Sequence, residues 1–109
     1  MEATNFPITH WSEDDKPREK MMLKGKSALS DAELVAILIG SGSRNESAVA
    51  LSKRILASVN NNLSSLGKQS LAQLMEFKGI GEAKAITIAA ALELGRRRKE
   101  ENPLELVKV

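Results

Sequence analysis

Cysteine is absent from the 109 residues, which excludes a disulfide framework and thiolate zinc sites. Its absence suits a reducing compartment, and a cytoplasmic protein is expected. Tyrosine is also absent, histidine occurs once, and aromatic side chains make up only 3%. Few side chains remain for acid–base or nucleophilic chemistry. His10, near Asp14 and Asp15, is the sole such constellation, so a non-catalytic module is expected. The longest apolar run, Leu34 to Ile39, is far too short to cross a bilayer. Met1-Glu2-Ala3-Thr4-Asn5 does not open a signal peptide, because no basic stretch leads into an apolar one. Strand signals are scarce too: β-branched and aromatic residues are sparse, and no run alternates with period two.

What is present is an ordinary globular balance, 42% apolar and 28% charged, enough for one small domain with a thin core. Net charge is only +2. Its distribution is uneven. Residues 1–77 balance, whereas residues 78–99 hold Lys78, Lys84, Arg96, Arg97, Arg98 and Lys99 against Glu82 and Glu93. Such a local excess suits a phosphate-binding face. Taken alone, Arg96 to Lys99 are explained as well by the C-terminal end of a helix dipole.

The pattern predicts an all-α fold: an extended arm over 1–12, a helical domain over 13–102, and a linker over 103–109. Phe6, Ile8 and Trp11 anchor the arm. Asp14 or Asp15 caps a helix with Pro17 in its first turn, carrying Met21, Met22 and Leu23 inward and stopping at Gly25. Ser30 and Glu33 form a capping box for a helix that buries Leu34, Ile37 and Leu38 and ends at Gly40. Gly40-Ser41-Gly42-Ser43 is a tight turn. Asn45 or Ser47 starts the next helix, with Ala48, Leu51, Ile55 and Val59 inward and Asn60-Asn61-Asn62 at its end. A short element follows around 64–67, and Ser70 caps a helix leading to Phe77. The last helix buries Ala85, Ile88, Ala89 and Leu92. It ends near Asn102, which Pro103 disfavours as helical.

The informative stretch is Leu74-Met75-Glu76-Phe77-Lys78-Gly79-Ile80-Gly81-Glu82-Ala83-Lys84-Ala85-Ile86-Thr87-Ile88. It resembles the helix-hairpin-helix nucleic-acid-binding motif, which would occupy about 71–99. Leu74 and Phe77 face inward, and Ile80 plugs the turn into the core. Gly79 and Gly81 permit positive φ and leave no Cβ between backbone and ligand. Ala85 lets the helices approach closely. The second helix then opens with unpaired N–H groups, an anion site. The expected DNA-phosphate contacts are Lys78, Gly79, Ile80, Gly81 and Lys84, with Arg96 and Arg97 assisting. Backbone contacts carry no base information, so binding is expected to be sequence-independent and salt-sensitive. The competing reading is a glycine turn that serves packing alone. Some hairpins of this type hold a monovalent cation through carbonyls; no other cofactor or metal is expected.

Gly40-Ser41-Gly42 precedes Gly79-Ile80-Gly81 by 39 residues. Val35 then corresponds to Leu74 and Leu38 to Phe77, and an insertion at Ser43-Arg44-Asn45-Glu46 brings Ala50 opposite Ala85. This reads as a degenerate first hairpin, with Gly40, Gly42 and Arg44 as secondary contacts. Lys53 and Arg54 either extend a phosphate track or form a solvated face.

Several blocks together are more specific: Ile8-x-x-Trp11-x-x-x-Asp15-x-Pro17-Arg18-Glu19-Lys20, Leu29-Ser30-Asp31-Ala32-Glu33-Leu34, Gly40-x-Gly42, Lys78-Gly79-Ile80-Gly81-x-x-Lys84-Ala85, and Ala91-Leu92-Glu93-Leu94-Gly95-Arg96-Arg97. In this order they resemble the N-terminal domain of bacterial RadC-type proteins, a family named for DNA repair. The resemblance implies a DNA-binding module followed by a JAB/MPN-type domain with a His-x-His…Asp zinc pattern, which this chain lacks. It implies two partners, DNA and that second domain. The alternative is a protein-interaction or scaffolding role, with the domain docked on the JAB/MPN-type domain or on another protein. Arg18, Glu19 and Lys20 read mainly as structural ion-pair residues.

Overall fold

The computed structural model describes residues 12–108, with side chains through residue 101. Residues 1–11 of the arm, with Phe6, Ile8, His10 and Trp11, lie outside the described residues. The described residues form six α-helices and no strand: α1 (Lys16–Lys24), α2 (Asp31–Ile39), α3 (Ala48–Ala57), α4 (Leu63–Gly67), α5 (Leu71–Met75) and α6 (Glu82–Lys108). The all-α class is as expected from the sequence.

Local chemistry sets most helix ends. Gly25 and Gly40 stop α1 and α2 with φ of 89° and 87°. This left-handed region is costly for residues with a Cβ. Ser30 Oγ accepts from the Glu33 amide, and the Glu33 carboxylate accepts from the Ser30 amide, completing the capping box. Ser70 and Gln73 build a second box at α5. Ser47 caps α3 and Asn62 caps α4. Asn60 and Asn61 close α3 at φ of 56° and 59°, a region asparagine tolerates better than most residues.

The core gathers Val35, Ala36 and Ile39 of α2, Leu51 and Ile55 of α3, Leu66 of α4, Leu74 of α5, Ile80, and Ala85 and Ile88 of α6. Leu51, Leu74 and Ile88 are essentially inaccessible, each contributing about 2 kcal/mol by burial. α2 lies against α3 and α6, and α6 also holds α4 and α5.

Three sequence expectations are corrected. α1 does not turn Met22 and Leu23 inward: they are 79% and 67% exposed, and Pro17 and Glu19 are the buried residues. α2 buries Ala32, Val35, Ala36 and Ile39 more deeply than Leu34, Ile37 and Leu38. That helix is apolar on nearly every side, so its period left the innermost face open, and its neighbours α3 and α6 decided it. α6 does not stop at Asn102 but runs to Lys108, through the stretch expected to be a linker. Pro103 removes one backbone donor, and the surrounding Glu and Leu residues are strong helix formers.

Candidate functional site

The turn joining α5 to α6 is built on Gly79. The Ile80 amide donates to the Phe77 carbonyl at 3.0 Å, closing a four-residue turn with Gly79 third at φ 101°. That position takes positive φ in a type II turn. A Cβ there would also stand 3.2 Å from Leu51 Cδ2. Ile80 enters the core as expected, and Ala85 is fully buried where α6 meets its neighbours.

Gly81 differs from the expectation, since it does not adopt positive φ. A Cβ on it would meet no atom within 4 Å, so the fold itself does not require glycine there. Its carbonyl accepts from the Ala85 amide at 3.0 Å, which makes Gly81 the N-cap of α6. The amides of Gly81, Glu82 and Ala83 have no acceptor among the described residues. The first turn of α6 is thus uncapped among the described residues, and Gly81, Glu82 and Ala83 are exposed there.

The Gly40–Gly42 turn repeats part of this geometry. Gly40 matches Gly79 in positive φ. Ser41 is exposed where Ile80 is buried, and Ala50 is exposed where Ala85 is buried, so the correspondence fails beyond the first glycine. A Cβ on Gly42 would run into the Glu46 carbonyl oxygen and lie 2.7 Å from the Ala48 nitrogen. Asp14 closes this turn: one carboxylate oxygen accepts from the Gly42 amide at 3.0 Å, the other from the Ala48 amide at 2.7 Å. The Ala48 bond, then the Gly42 bond, holds the Asp14 carboxyl below the ordinary aspartate value. The nearby charges of Lys84 and Arg18 add to this, and partial burial opposes it. Of the secondary set, the Gly42 amide is thus already occupied by a carboxylate. Gly40 lies next to Arg18, and Arg44 is exposed on the Ser43–Glu46 loop.

Two cations cross between the turns. Lys84 Nζ, from the first turn of α6, donates to the Ser41 carbonyl at 2.7 Å. Arg54, from α3, donates to the Lys78 carbonyl at 3.0 Å. Arg54 also makes two bonds to the Glu46 carboxylate, at 2.8 and 3.0 Å, and its guanidinium carbon stands 6.0 Å from the Phe77 ring centre. These pairings hold the Glu46 carboxyl below its usual range. Two turn carbonyls, Phe77 and Lys78, are therefore engaged by donors. Among the described residues no group of three His, Cys, Asp or Glu is placed to hold a metal ion.

Arg96 and Arg97 are not gathered at the turn. They lie twelve and thirteen residues beyond Lys84, about 18 Å along the helix. Arg96 pairs with Glu93 and Glu100, and Arg97 with Glu93. The Arg96 bond, then that of Arg97, pulls the Glu93 carboxyl down to about 2. Of the Arg18-Glu19-Lys20 triplet, Arg18 pairs with Asp15 and reaches the Ile37 carbonyl, and Lys20 pairs with Glu33. Asp14 and Arg54 emerged as organising residues only here. Each bonds a turn far away in sequence, and no local pattern marks that.

Residues 8–86 match the family model described as UPF0758 N-terminal. Over all 109 residues the chain is 72% identical to a UPF0758 protein of Flavobacterium johnsoniae, covering 47% of that protein. It is 50% identical over 91 residues to a UPF0758 protein of Porphyromonas gingivalis, with 83% of this chain and 40% of that protein covered. It is 40% identical over 97 residues to one of Methanosarcina mazei, covering 89% of this chain and 42% of that protein. The chain thus spans about half the length of these relatives or less. No solved structure matches it. With 79 of its 109 residues inside the family model, the chain belongs to the UPF0758 N-terminal domain family, the RadC-like family its sequence motifs resemble.

Proposed function

We propose that this domain is a non-catalytic module that binds the DNA backbone without regard to sequence, with the α5–α6 turn acting as a helix-hairpin-helix. One observation carries the reading: the Gly81, Glu82 and Ala83 amides lack acceptors among the described residues, and these three residues are exposed at the start of a 27-residue helix. A phosphate oxygen fits such donors. Lys78 is exposed beside them, and the Lys84 ammonium keeps two protons after bonding Ser41. Arg96 and Arg97, paired with Glu93 and Glu100, add less than their formal charge suggests.

The test is a chemical-shift titration with a mixed-sequence duplex, repeated at rising salt. The expected result is a set of shifts clustered on residues 78–84 and an affinity that falls steeply with salt. No binding at low salt would overturn the reading.

The alternative, docking on another protein domain, has one observation in its favour. A groove of about 570 Å³ runs between α4 and α6, with Leu63, Gly67, Leu92 and Gly95 in its lining. Shifts confined to that groove when a longer family protein's remaining half is added would support it.

A further inference from the structure

We propose that Arg54 is the positioning residue of the α5–α6 turn, fixing the Lys78–Gly79 peptide so that its N–H is presented outward. This rests on the reading of that turn as the DNA-backbone site. Type I and type II turns share the outer hydrogen bond and differ chiefly in the orientation of the middle peptide. In this turn the outer bond joins Ile80 to Phe77, and the middle peptide joins Lys78 to Gly79. Glycine at the third position tolerates both orientations, so the sequence of the turn leaves that peptide free to flip.

Arg54 removes the freedom. Its Nη2 donates to the Lys78 carbonyl at 3.0 Å, directing that oxygen toward α3. In a planar trans peptide the N–H points opposite to the C=O, and no cis peptide occurs among the described residues. The Gly79 N–H is therefore aimed away from α3, and it has no acceptor among the described residues. A flip would reverse this and present the Lys78 carbonyl, a partial negative charge, to an approaching phosphate.

Arg54 suits the task because its own geometry is fixed. Glu46 grips Nε and Nη2 together, and Phe77 lies beneath the guanidinium. The planar fork holds the carboxylate and the carbonyl at once, which a lysine ammonium does not reproduce. Glu46 also offsets the charge of Arg54, so positioning rather than attraction is its contribution.

The experiment measures duplex affinity by fluorescence anisotropy across a salt series for the wild-type chain, Arg54→Lys, Arg54→Gln and Glu46→Gln. The Gly79 amide resonance of each free protein is followed in parallel. Both Arg54 variants are expected to bind about tenfold more weakly, the scale of one lost charged hydrogen bond. The slope of log affinity against log salt is expected to stay at the wild-type value, and the Gly79 amide to shift or broaden without DNA. Glu46→Gln is expected to fall between the wild type and the Arg54 variants. A slope shallower by about one unit would make Arg54 a phosphate contact instead and overturn the proposal. So would wild-type affinity in Arg54→Lys, or an unchanged Gly79 amide. Absence of wild-type binding would sink the DNA reading, while the Gly79 resonance would still decide whether Arg54 orients the peptide.

Discussion

Lys84 and Ser41, 43 positions apart, are joined by a 2.7 Å hydrogen bond from the ammonium to the main-chain carbonyl. The bond ties the start of α6 to the turn after α2. Arg54 answers it in the opposite direction, from α3 to the Lys78 carbonyl. The two turns are thus braced reciprocally by side chains that sequence inspection assigns to phosphate or to solvent. On the proposed DNA-backbone role, Lys84→Gln is expected to weaken duplex binding and make its salt slope shallower by about 0.9. It should also lower the melting temperature, because the brace to Ser41 goes with the charge. Lys84→Arg should retain most of the slope. Anisotropy titrations and thermal melts check both.

If the α5–α6 turn binds DNA as proposed, Gly81 separates folding from binding. In Gly81→Asp, the new carboxylate occupies the N-cap and accepts from the Ala83 or Lys84 amide. Stability is expected to rise by about 0.5 kcal/mol, while DNA affinity falls by at least about tenfold, because the donors are taken and a negative charge faces the phosphate. Urea denaturation and anisotropy should move in opposite directions.

Gly42 and Gly81, the second glycines of the two turns, sit in different surroundings and should respond differently to alanine. At Gly42 the added Cβ runs into the Glu46 carbonyl and the Ser47–Ala48 peptide, at a cost of about 3 kcal/mol. At Gly81 the same carbon enters open space, and about 0.5 kcal/mol is expected from the poorer cap. Denaturation midpoints compare them directly.

Asp14 confers acid sensitivity. Its carboxyl titrates lower in the folded chain than in the unfolded one, so at acidic pH the folded state binds fewer protons than the unfolded state. The associated stability is complete above the unfolded value near pH 4 and is lost as pH drops through the folded value. Asp14→Ala is expected to cost about 2 kcal/mol at neutral pH and to flatten the stability profile below about pH 5. Glu33 and Glu46, also lowered, maintain a residual slope. Urea melts across that pH range test this.

Ser52 is fully buried in α3, and its hydroxyl has no hydrogen-bond partner among the described residues. Ser52→Ala removes an unsatisfied polar group and is expected to stabilise the domain by about 1 kcal/mol. A rise in the denaturation midpoint with unchanged DNA affinity is the expected result.

The sequence by itself determined several helix ends, though not that of α6, and the frame of the second turn. Capping boxes at Ser30 and Ser70, stops at Gly25 and Gly40, and the burial of Leu74, Ile80, Ala85 and Ile88 all follow from chemistry a few residues wide. It also marked the family, through the order of its motif blocks. Tertiary structure decided the rest. Only packing showed that α2 turns Val35 and Ala36 deepest inward, and that Met22 stays outside. Asp14 closes the first turn while the second stands open, because a carboxylate from another segment reaches one set of amides and not the other. Lys84 and Arg54 likewise act on carbonyls 43 and 24 residues away. Such partners are set by how the helices stack, and local periodicity carries no record of that.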